Sequence, residues 1–235
     1  MHLISIPIVF VAAYLLGNIN FAIIISKVKN RNILKEGSGN PGTMNMARSL
    51  GIKWGILTLL LDAGKGVAGA LLGWLFISTN QDQMFMLSTD KVGMLMGGLG
   101  VVIGHIYPVF LKFKGGKGIA TTIGVCLVFA PIATPISFVA ALSFLFIFKM
   151  GAIASFIAIT PPLAITAFVL STTPETADPT TAIIASLICL LIFFLALWAH
   201  RSNIKQMFSG TDSKLILLKK RKKNTSPQQV VKGRE

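Results

Sequence analysis

Long runs of mostly apolar residues with few or no charges are the feature that most constrains how this chain can fold. Seven such runs occur, at about 3–26, 54–77, 92–111, 119–133, 136–148, 152–170 and 181–199. Several of them reach the roughly 20 apolar residues with which a helix spans a bilayer. Only 13% of the residues are charged, against about 25% in a soluble domain. The sequence therefore predicts an all-α, polytopic membrane protein with about seven transmembrane helices.

The distribution of basic residues predicts which helix ends face the cytoplasm. Lysines and arginines crowd the 27–53 and 112–117 loops, Lys149 and the tail, whereas 78–91 holds only one lysine and 171–180 holds none. Cytoplasmic loops carry the excess of basic residues. We therefore expect the amino terminus outside and the carboxyl terminus in the cytoplasm. The runs at 119–133 and 136–148 are short, and the sequence leaves open whether both fully span.

The formal net charge of +14 includes five consecutive basic residues that begin at Lys219. A solvated tail that fixes topology and touches anionic lipid explains this run better than RNA binding does. We therefore expect no nucleic-acid partner. Cys126 and Cys189 lie inside apolar runs without a CxxC neighbour or a histidine cluster. They are expected to be packing residues, so the sequence predicts no disulfide, no metal and no cofactor.

The first basic loop contains GSGNPGTMNMARSLG at 37–51. Glycines let backbone N–H groups approach an anion closely, and the arginine fork fits phosphate oxygens. A helix that begins after Pro41 would direct further N–H groups at the loop. A hydrophilic turn is the simpler alternative, but such turns rarely need so many donors together. The candidate anion-binding residues are Gly37, Ser38, Gly39, Asn40, Gly42, Thr43, Asn45 and Arg48.

The second basic loop, KFKGGKG at 112–118, combines lysines with glycines at a membrane edge. Lysines here would anchor the preceding helix on the cytoplasmic side in any case, but that role does not need three glycines. The loop is not a Walker P-loop, because no GxxxxGK is followed by Ser or Thr. The candidate anion-binding residues are Lys112, Gly115, Gly116, Lys117 and Gly118.

Polar residues follow the last apolar run. His200 and Asn203 are three residues apart, so they share one helix face if the helix continues. The histidine could act as a general base near neutral pH. A polar cluster that satisfies the last carbonyls of the helix explains the pair equally well.

Three ionisable residues lie inside the apolar runs, where charge is costly unless it is paired or faces a cavity. Asp62 and Lys65 are three residues apart, and we expect a structural ion pair there. A proton relay or a substrate contact is the alternative. His105 lies near the inner end of its run and could orient the lysine loop, although a packing role is more common for a lone histidine.

Taken together, these motifs resemble those of the bacterial acyl-phosphate glycerol-3-phosphate acyltransferase family. The matching segments are GSGNPGTMNMARSLG at 37–51, LDAGKG at 61–66, GHIYPVFLKFKGGKGIAT at 104–121 and HRSNIKQMFSGTDSK at 200–214. The HxxxxD signature of acyl-CoA-dependent glycerophosphate acyltransferases does not occur. The resemblance extends to about residue 214, so we expect one membrane-embedded domain over 1–214 and a basic cytoplasmic tail over 215–235.

The resemblance implies a fold, a reaction and a set of site residues. Members are inner-membrane proteins with seven helices and an external amino terminus. They transfer a fatty acyl group from acyl phosphate, not acyl-CoA, to the 1-hydroxyl of sn-glycerol 3-phosphate, and an acyl-phosphate-forming enzyme would be a partner. Motif matching implies that Ser38, Arg48 and Lys117 contact phosphate, with His200 and Asn203 near glycerol phosphate. The alternatives are a transporter for a phosphorylated metabolite and a scaffold in lipid synthesis.

Overall fold

The computed structural model describes residues 2–77, 89–172 and 179–209, and these ranges are mainly helical. Two single-turn 3-10 helices are also present: Ile33–Lys35 lies in the first basic loop, and Val109–Leu111 directly precedes the second. The tail at 215–235 and most of the 78–91 and 171–180 loops lie outside the described residues. The α-helices are α1 His2–Gly17, α2 Phe21–Val28, α3 Thr43–Ser49, α4 Ile52–Ile77, α5 Thr89–Ile106, α6 Ile119–Phe129, α7 Ala133–Phe148, α8 Gly151–Thr172, α9 Pro179–Ala199 and α10 Arg201–Phe208.

Five segments of the described chain are long and apolar enough to cross a membrane. They are Ile6–Val28, Ile52–Leu75, Lys91–Leu111, Gly151–Thr172 and Ala182–Ala199. The other two predicted spans correspond to α6 and α7, with 11 and 16 residues. At about 1.5 Å per residue these helices are about 17 and about 24 Å long, shorter than the roughly 30 Å of a hydrocarbon core. The all-helical membrane architecture is confirmed, whereas the number of seven spans stays a prediction.

The first predicted run, 3–26, is not one continuous helix, because the chain breaks between α1 and α2. The Asn18 side-chain amide donates to Tyr14 O at 2.6 Å. The Asn20 side chain instead caps α2 by accepting from the N–H of Ile23 at 3.0 Å. Asparagine favours helix ends because its side chain competes for backbone groups. The break places polar backbone atoms inside an apolar stretch, where they need partners from elsewhere in the fold.

Glycines allow α1, α4, α5 and α6 to pack with their backbones in close contact. A Cβ added at Gly17 would meet the backbone of α5, and one added at Gly66 would collide with the Thr121 carbonyl on α6. Small residues at such crossings let membrane helices approach closely. The buried apolar core lies around these crossings and extends to α8 and α9 through Ile159 and Ile192, each fully buried.

The two glycines of the LDAGKG segment provide a matched test of this packing. We expect Gly66→Ala to destabilise the protein by about 1–3 kcal/mol through overpacking, because its Cβ would overlap Thr121 O. Gly64→Ala should be neutral or stabilising, because a Cβ there meets nothing within 4 Å and alanine favours a helix. Thermal melting of the two purified variants measures the difference. Equal melting temperatures would contradict the packing argument.

Candidate active site

The first basic loop is held in shape by the buried side chain of Asn45. Its Oδ1 atom accepts from the N–H of Ser38 at 2.9 Å, and its amide donates to Ile33 O at 3.2 Å and Glu36 O at 2.9 Å. Gly37, with a φ of +56°, leaves room for this side chain, which a Cβ would collide with. Asn45 therefore supports the loop from within, and its two amide donor contacts are to backbone carbonyls.

The second basic loop folds back onto the end of α5. The N–H of Gly115 donates to Ile106 O at 3.1 Å, and the N–H of Gly116 donates to His105 O at 3.0 Å. A Cβ on Gly115 would collide with the His105 carbonyl, and one on Gly116 would collide with the His105 ring. Gly118, at φ +83°, then leads into α6. The glycines are thus required by close packing, which leaves Lys117 at the start of α6.

The two basic loops form two walls of the site, and the junction between α9 and α10 forms the third. His200 is 2% exposed, and its Nδ1 atom lies 2.9 Å from Ala196 O. Its ring also makes an edge contact with Phe156. Burial, and secondarily the charge of Lys117, lowers the pKa of His200 to about 4. The imidazole is therefore neutral near pH 7, and the Ala196 carbonyl fixes the proton on Nδ1, which leaves Nε2 as a hydrogen-bond acceptor.

An open cavity of about 1230 Å³ lies between these three walls. A second, narrower cavity of about 250 Å³ continues from it between α6, α7 and α8. Apolar side chains dominate the inner part of this second cavity, which we call the apolar groove, and include Ile123, Phe138, Ala141, Leu145 and Ala158. The polar residues that line both cavities, and so mark their junction, are Ser38, Asn40, Arg48, Lys117, Asn203 and Gln206.

The structure brings most of the residues singled out from the sequence to these two cavities. Besides the junction residues, the open cavity is lined by Gly37, Gly39, Lys112 and Gly115. The groove side is lined by Gly42, Thr43, Asn45, Asp62, His105, Gly118 and His200. Gly116 and Lys65 line neither cavity. Gly116 instead contacts the His105 ring, and Lys65 contacts the α1–α2 break.

Six polar residues that line the cavities lie outside the sequence candidates: Lys114, Lys149, Ser155, Arg201, Ser202 and Gln206. Gln206 lines both cavities, and it is one helical turn beyond Asn203 on α10, so the same three-residue spacing could have identified it. Lys149 ends α7 in the left-handed conformation, with a φ of 59°, and lines the groove. Its position depends on the α7–α8 turn, which the spacing of charges does not reveal. Among the described residues, no group of three His, Cys, Asp or Glu side chains could hold a metal ion.

The chain is similar to known proteins in both sequence and structure. Residues 7–210 match the family model described as glycerol-3-phosphate acyltransferase. A glycerol-3-phosphate acyltransferase of Alkaliphilus metalliredigens is 35% identical over 209 residues, which cover 88% of this chain and 95% of that protein. A protein of the same description from Shouchella clausii is 38% identical over 205 residues, covering 86% and 92%.

Two solved structures share the fold. Both are crystal structures of PlsY, an integral membrane glycerol 3-phosphate acyltransferase, one in its glycerol 3-phosphate form and one in its lysophosphatidic acid form. They superpose with TM-scores of 0.71 and 0.70 at 29% identity, and each comparison covers 89% of this chain and 95% of the other.

Fold and site together define an integral membrane protein with a cationic cavity joined to an apolar groove. The length of the match and the identity to the relatives then identify its family. The chain belongs to the glycerol-3-phosphate acyltransferase family, which confirms the resemblance seen in the sequence motifs.

Proposed function

We propose that the protein transfers a fatty acyl group from acyl phosphate to the 1-hydroxyl of sn-glycerol 3-phosphate. The products are lysophosphatidate and inorganic phosphate. The observation that carries this proposal is the junction at Ser38, Arg48, Lys117 and Asn203, where the cationic cavity meets the apolar groove. A phosphate-bearing headgroup and an acyl chain each match one side of that junction. The ligand forms of the matching PlsY structures support the same acceptor and product.

The chemistry requires one bond to form and one to break. The 1-hydroxyl oxygen bonds to the acyl carbon, the bond from that carbon to the bridging phosphate oxygen breaks, and phosphate leaves. The hydroxyl proton passes to a phosphate oxygen. Arg48 and Lys117 would stabilise the carbonyl oxyanion and the departing phosphate, because fixed cations act most strongly where charge develops. Holding two anionic substrates side by side adds proximity.

His200 would position the acceptor rather than form a covalent intermediate. Its neutral imidazole presents Nε2 as an acceptor for a substrate hydroxyl, since Nδ1 faces Ala196 O. We expect purified His200→Ala to keep near-normal turnover at saturation, with a KM for glycerol 3-phosphate raised by about tenfold for one lost hydrogen bond. Steady-state kinetics with varied acceptor measures both constants. Loss of turnover at saturating acceptor would show that the ring takes part in the chemical step.

The proposed location is a bacterial cytoplasmic (inner) membrane, with the amino terminus outside and the site facing the cytoplasm. Two contacts between cations and tryptophans support one membrane interface near the site. The Lys29 ammonium lies 4.3 Å from the Trp54 ring, and the Arg201 guanidinium lies 4.8 Å from the Trp198 ring. Such pairs are typical of the headgroup region. An acyl-phosphate-forming enzyme would supply the donor at that face.

A direct assay separates this enzyme from a transporter or a scaffold. Purified protein is given acyl phosphate and glycerol 3-phosphate, and released phosphate and lysophosphatidate are measured. Acyl-CoA replaces acyl phosphate in a parallel reaction. We expect equal amounts of phosphate and lysophosphatidate with acyl phosphate, and no product with acyl-CoA. The absence of product with both donors would overturn the enzyme proposal. Product with acyl-CoA but not with acyl phosphate would overturn the proposal that acyl phosphate is the donor.

A further inference from the structure

A buried ionic cluster lies beneath the two basic loops, and the proposed chemistry does not use it. The side chains of Asp62 and Lys65 on α4 are each 1% exposed, with 3.2 Å between Oδ1 and Nζ. His105 on α5 is also buried, and its Nδ1 atom is 3.6 Å from the same carboxylate oxygen, close but beyond hydrogen-bond distance. Burying such charges is costly, and apolar residues would hold α4 and α5 together more cheaply.

On one side the cluster reaches the first basic loop. The Lys65 ammonium donates to Gly17 O at 3.0 Å and to Ile19 O at 2.6 Å, which satisfies the carbonyls exposed at the α1–α2 break. The next residue, Asn20, is buried and donates from its side chain to Pro41 O at 3.2 Å. Pro41 lies in the first loop, so Lys65 is connected to that loop through one short turn of backbone.

On the other side the cluster reaches the second basic loop. The His105 ring lies against Gly116, where a Cβ would collide with Nε2. The His105 carbonyl also accepts from the Gly116 N–H at 3.0 Å. Lys117 is the next residue. The ring faces Asp62 with Nδ1 and the loop with Nε2, so it connects the ion pair to the backbone that carries Lys117.

We propose that Asp62, Lys65 and His105 are positioning residues that fix the two basic loops relative to each other. Arg48 lies on α3 within the first basic loop and Lys117 belongs to the second, so this cluster sets the separation of the two cations at the cavity junction. The inference rests on the proposed function, in which both cations act on one reacting centre. Catalysis is sensitive to such spacing, because a misplacement of about 1 Å can cost about a hundredfold in rate.

The first experiment removes both charges together and measures kinetics on the protein that remains folded. Asp62→Asn alone leaves Lys65 as an unpaired buried cation and should destabilise the protein. The double variant Asp62→Asn/Lys65→Met has no unpaired charge, but methionine cannot hold the Gly17 and Ile19 carbonyls. The two carbonyls left without a donor should lower its melting temperature, but in the protein that remains folded we expect a kcat/KM for glycerol 3-phosphate reduced by about a hundredfold. Wild-type kinetics in the double variant would overturn the inference.

A control substitution reports the effect of losing a buried polar group elsewhere. Thr166→Val on α8 removes a buried hydroxyl that donates to Pro162 O at 2.7 Å, outside both basic loops. It should change the melting temperature with unchanged kcat and KM in the folded protein. Reduced kcat/KM in this control, equal to that of the double variant, would show that any buried polar loss lowers activity and would also overturn the inference.

A second pair of variants tests the contact between the His105 ring and Gly116. This test does not depend on whether Asp62→Asn/Lys65→Met folds. Gly116→Ala places a methyl group on the His105 ring and should displace Lys117. In His105→Ala/Gly116→Ala the ring is gone and the collision disappears. We expect His105→Ala/Gly116→Ala to be at least as active as Gly116→Ala. The separate effects of His105→Ala and Gly116→Ala on kcat/KM should therefore depart from additivity by about tenfold or more. Simple additivity of the two effects would overturn the His105 link.

A distance measurement distinguishes failure of this inference from failure of the proposed function. Nitroxide labels on Lys35→Cys and Lys114→Cys report the separation of the two loops, and the native Cys126 and Cys189 are buried and resist labelling. We expect a narrow distance distribution in the otherwise wild-type chain and a broader or shifted one in Asp62→Asn/Lys65→Met. An unchanged distribution would overturn the inference, whether or not the protein turns over acyl phosphate.

Discussion

Lys117→Ala is expected to lower kcat/KM by about a thousandfold, which corresponds to about 4 kcal/mol of lost transition-state stabilisation. Lys117 lines both the cationic cavity and the apolar groove. The glycines before it pack against His105 and fix the backbone from which its side chain extends. Its charge is therefore already in place when negative charge develops on the substrate, and no reorganisation is needed. Steady-state kinetics of the purified variant with acyl phosphate and glycerol 3-phosphate measures the loss.

Two further variants make the Lys117 result interpretable. Lys53→Ala removes an exposed lysine that lines neither cavity, so it changes the net charge equally and should leave kcat/KM within about twofold. Arg48→Lys keeps the charge but loses the fork that can hold two phosphate oxygens, and it should be less active than the wild type and more active than Arg48→Ala. If Lys117→Ala and Lys53→Ala lower kcat/KM equally, Lys117 contributes only a general electrostatic attraction for the anionic substrates.

The helical membrane architecture and the two basic loops can be predicted from the sequence because their signals are local. A run of apolar residues must be in lipid or in a core, and clustered glycines and cations stand out from it. The α1–α2 break cannot be predicted in the same way. Its exposed carbonyls are tolerated because Lys65, 46 residues beyond Ile19, donates to them, and the apolar pattern around Asn18 and Asn20 continues without interruption.

The roles of individual loop residues also depend on partners that are distant in sequence. Asn45 and Gly116 both appear in the sequence as candidates for binding an anion. The structure uses the Asn45 amide to hold Ile33 O and Glu36 O, and it packs Gly116 against His105. The residue types suit phosphate binding, but only the tertiary contacts show that Gly116 lines neither cavity and that the Asn45 amide, although Asn45 lines the groove, is already paired with backbone carbonyls. The apolar groove also cannot be predicted from the sequence, because its apolar lining residues belong to three helices whose sequences are each typical of a lipid-facing helix.

Ala141→Phe is expected to change which acyl donors the protein uses. Ala141 on α7 is 5% exposed and lines the apolar groove together with Ala158 on α8, so a phenyl ring there would occupy the space between the two helices. If the acyl chain lies in the groove, kcat/KM for long-chain acyl phosphates should fall by about 10- to 200-fold, the range for shape discrimination in an apolar pocket. Donors too short to reach residue 141 should be affected much less. Competition between a long and a short acyl phosphate in one reaction measures the change directly.

The control for this substitution lies two residues away on the same helix. Val139 is 61% exposed on the apolar surface and does not line the groove, so Val139→Phe adds an equally large ring that faces lipid. It should leave the preference for long over short donors unchanged, because nothing inside the protein is displaced. A similar shift in both variants would mean that bulk on α7 acts through the bilayer or through helix packing. A shift in Ala141→Phe alone would place the acyl chain between α7 and α8, on the apolar side of the junction that holds Arg48 and Lys117.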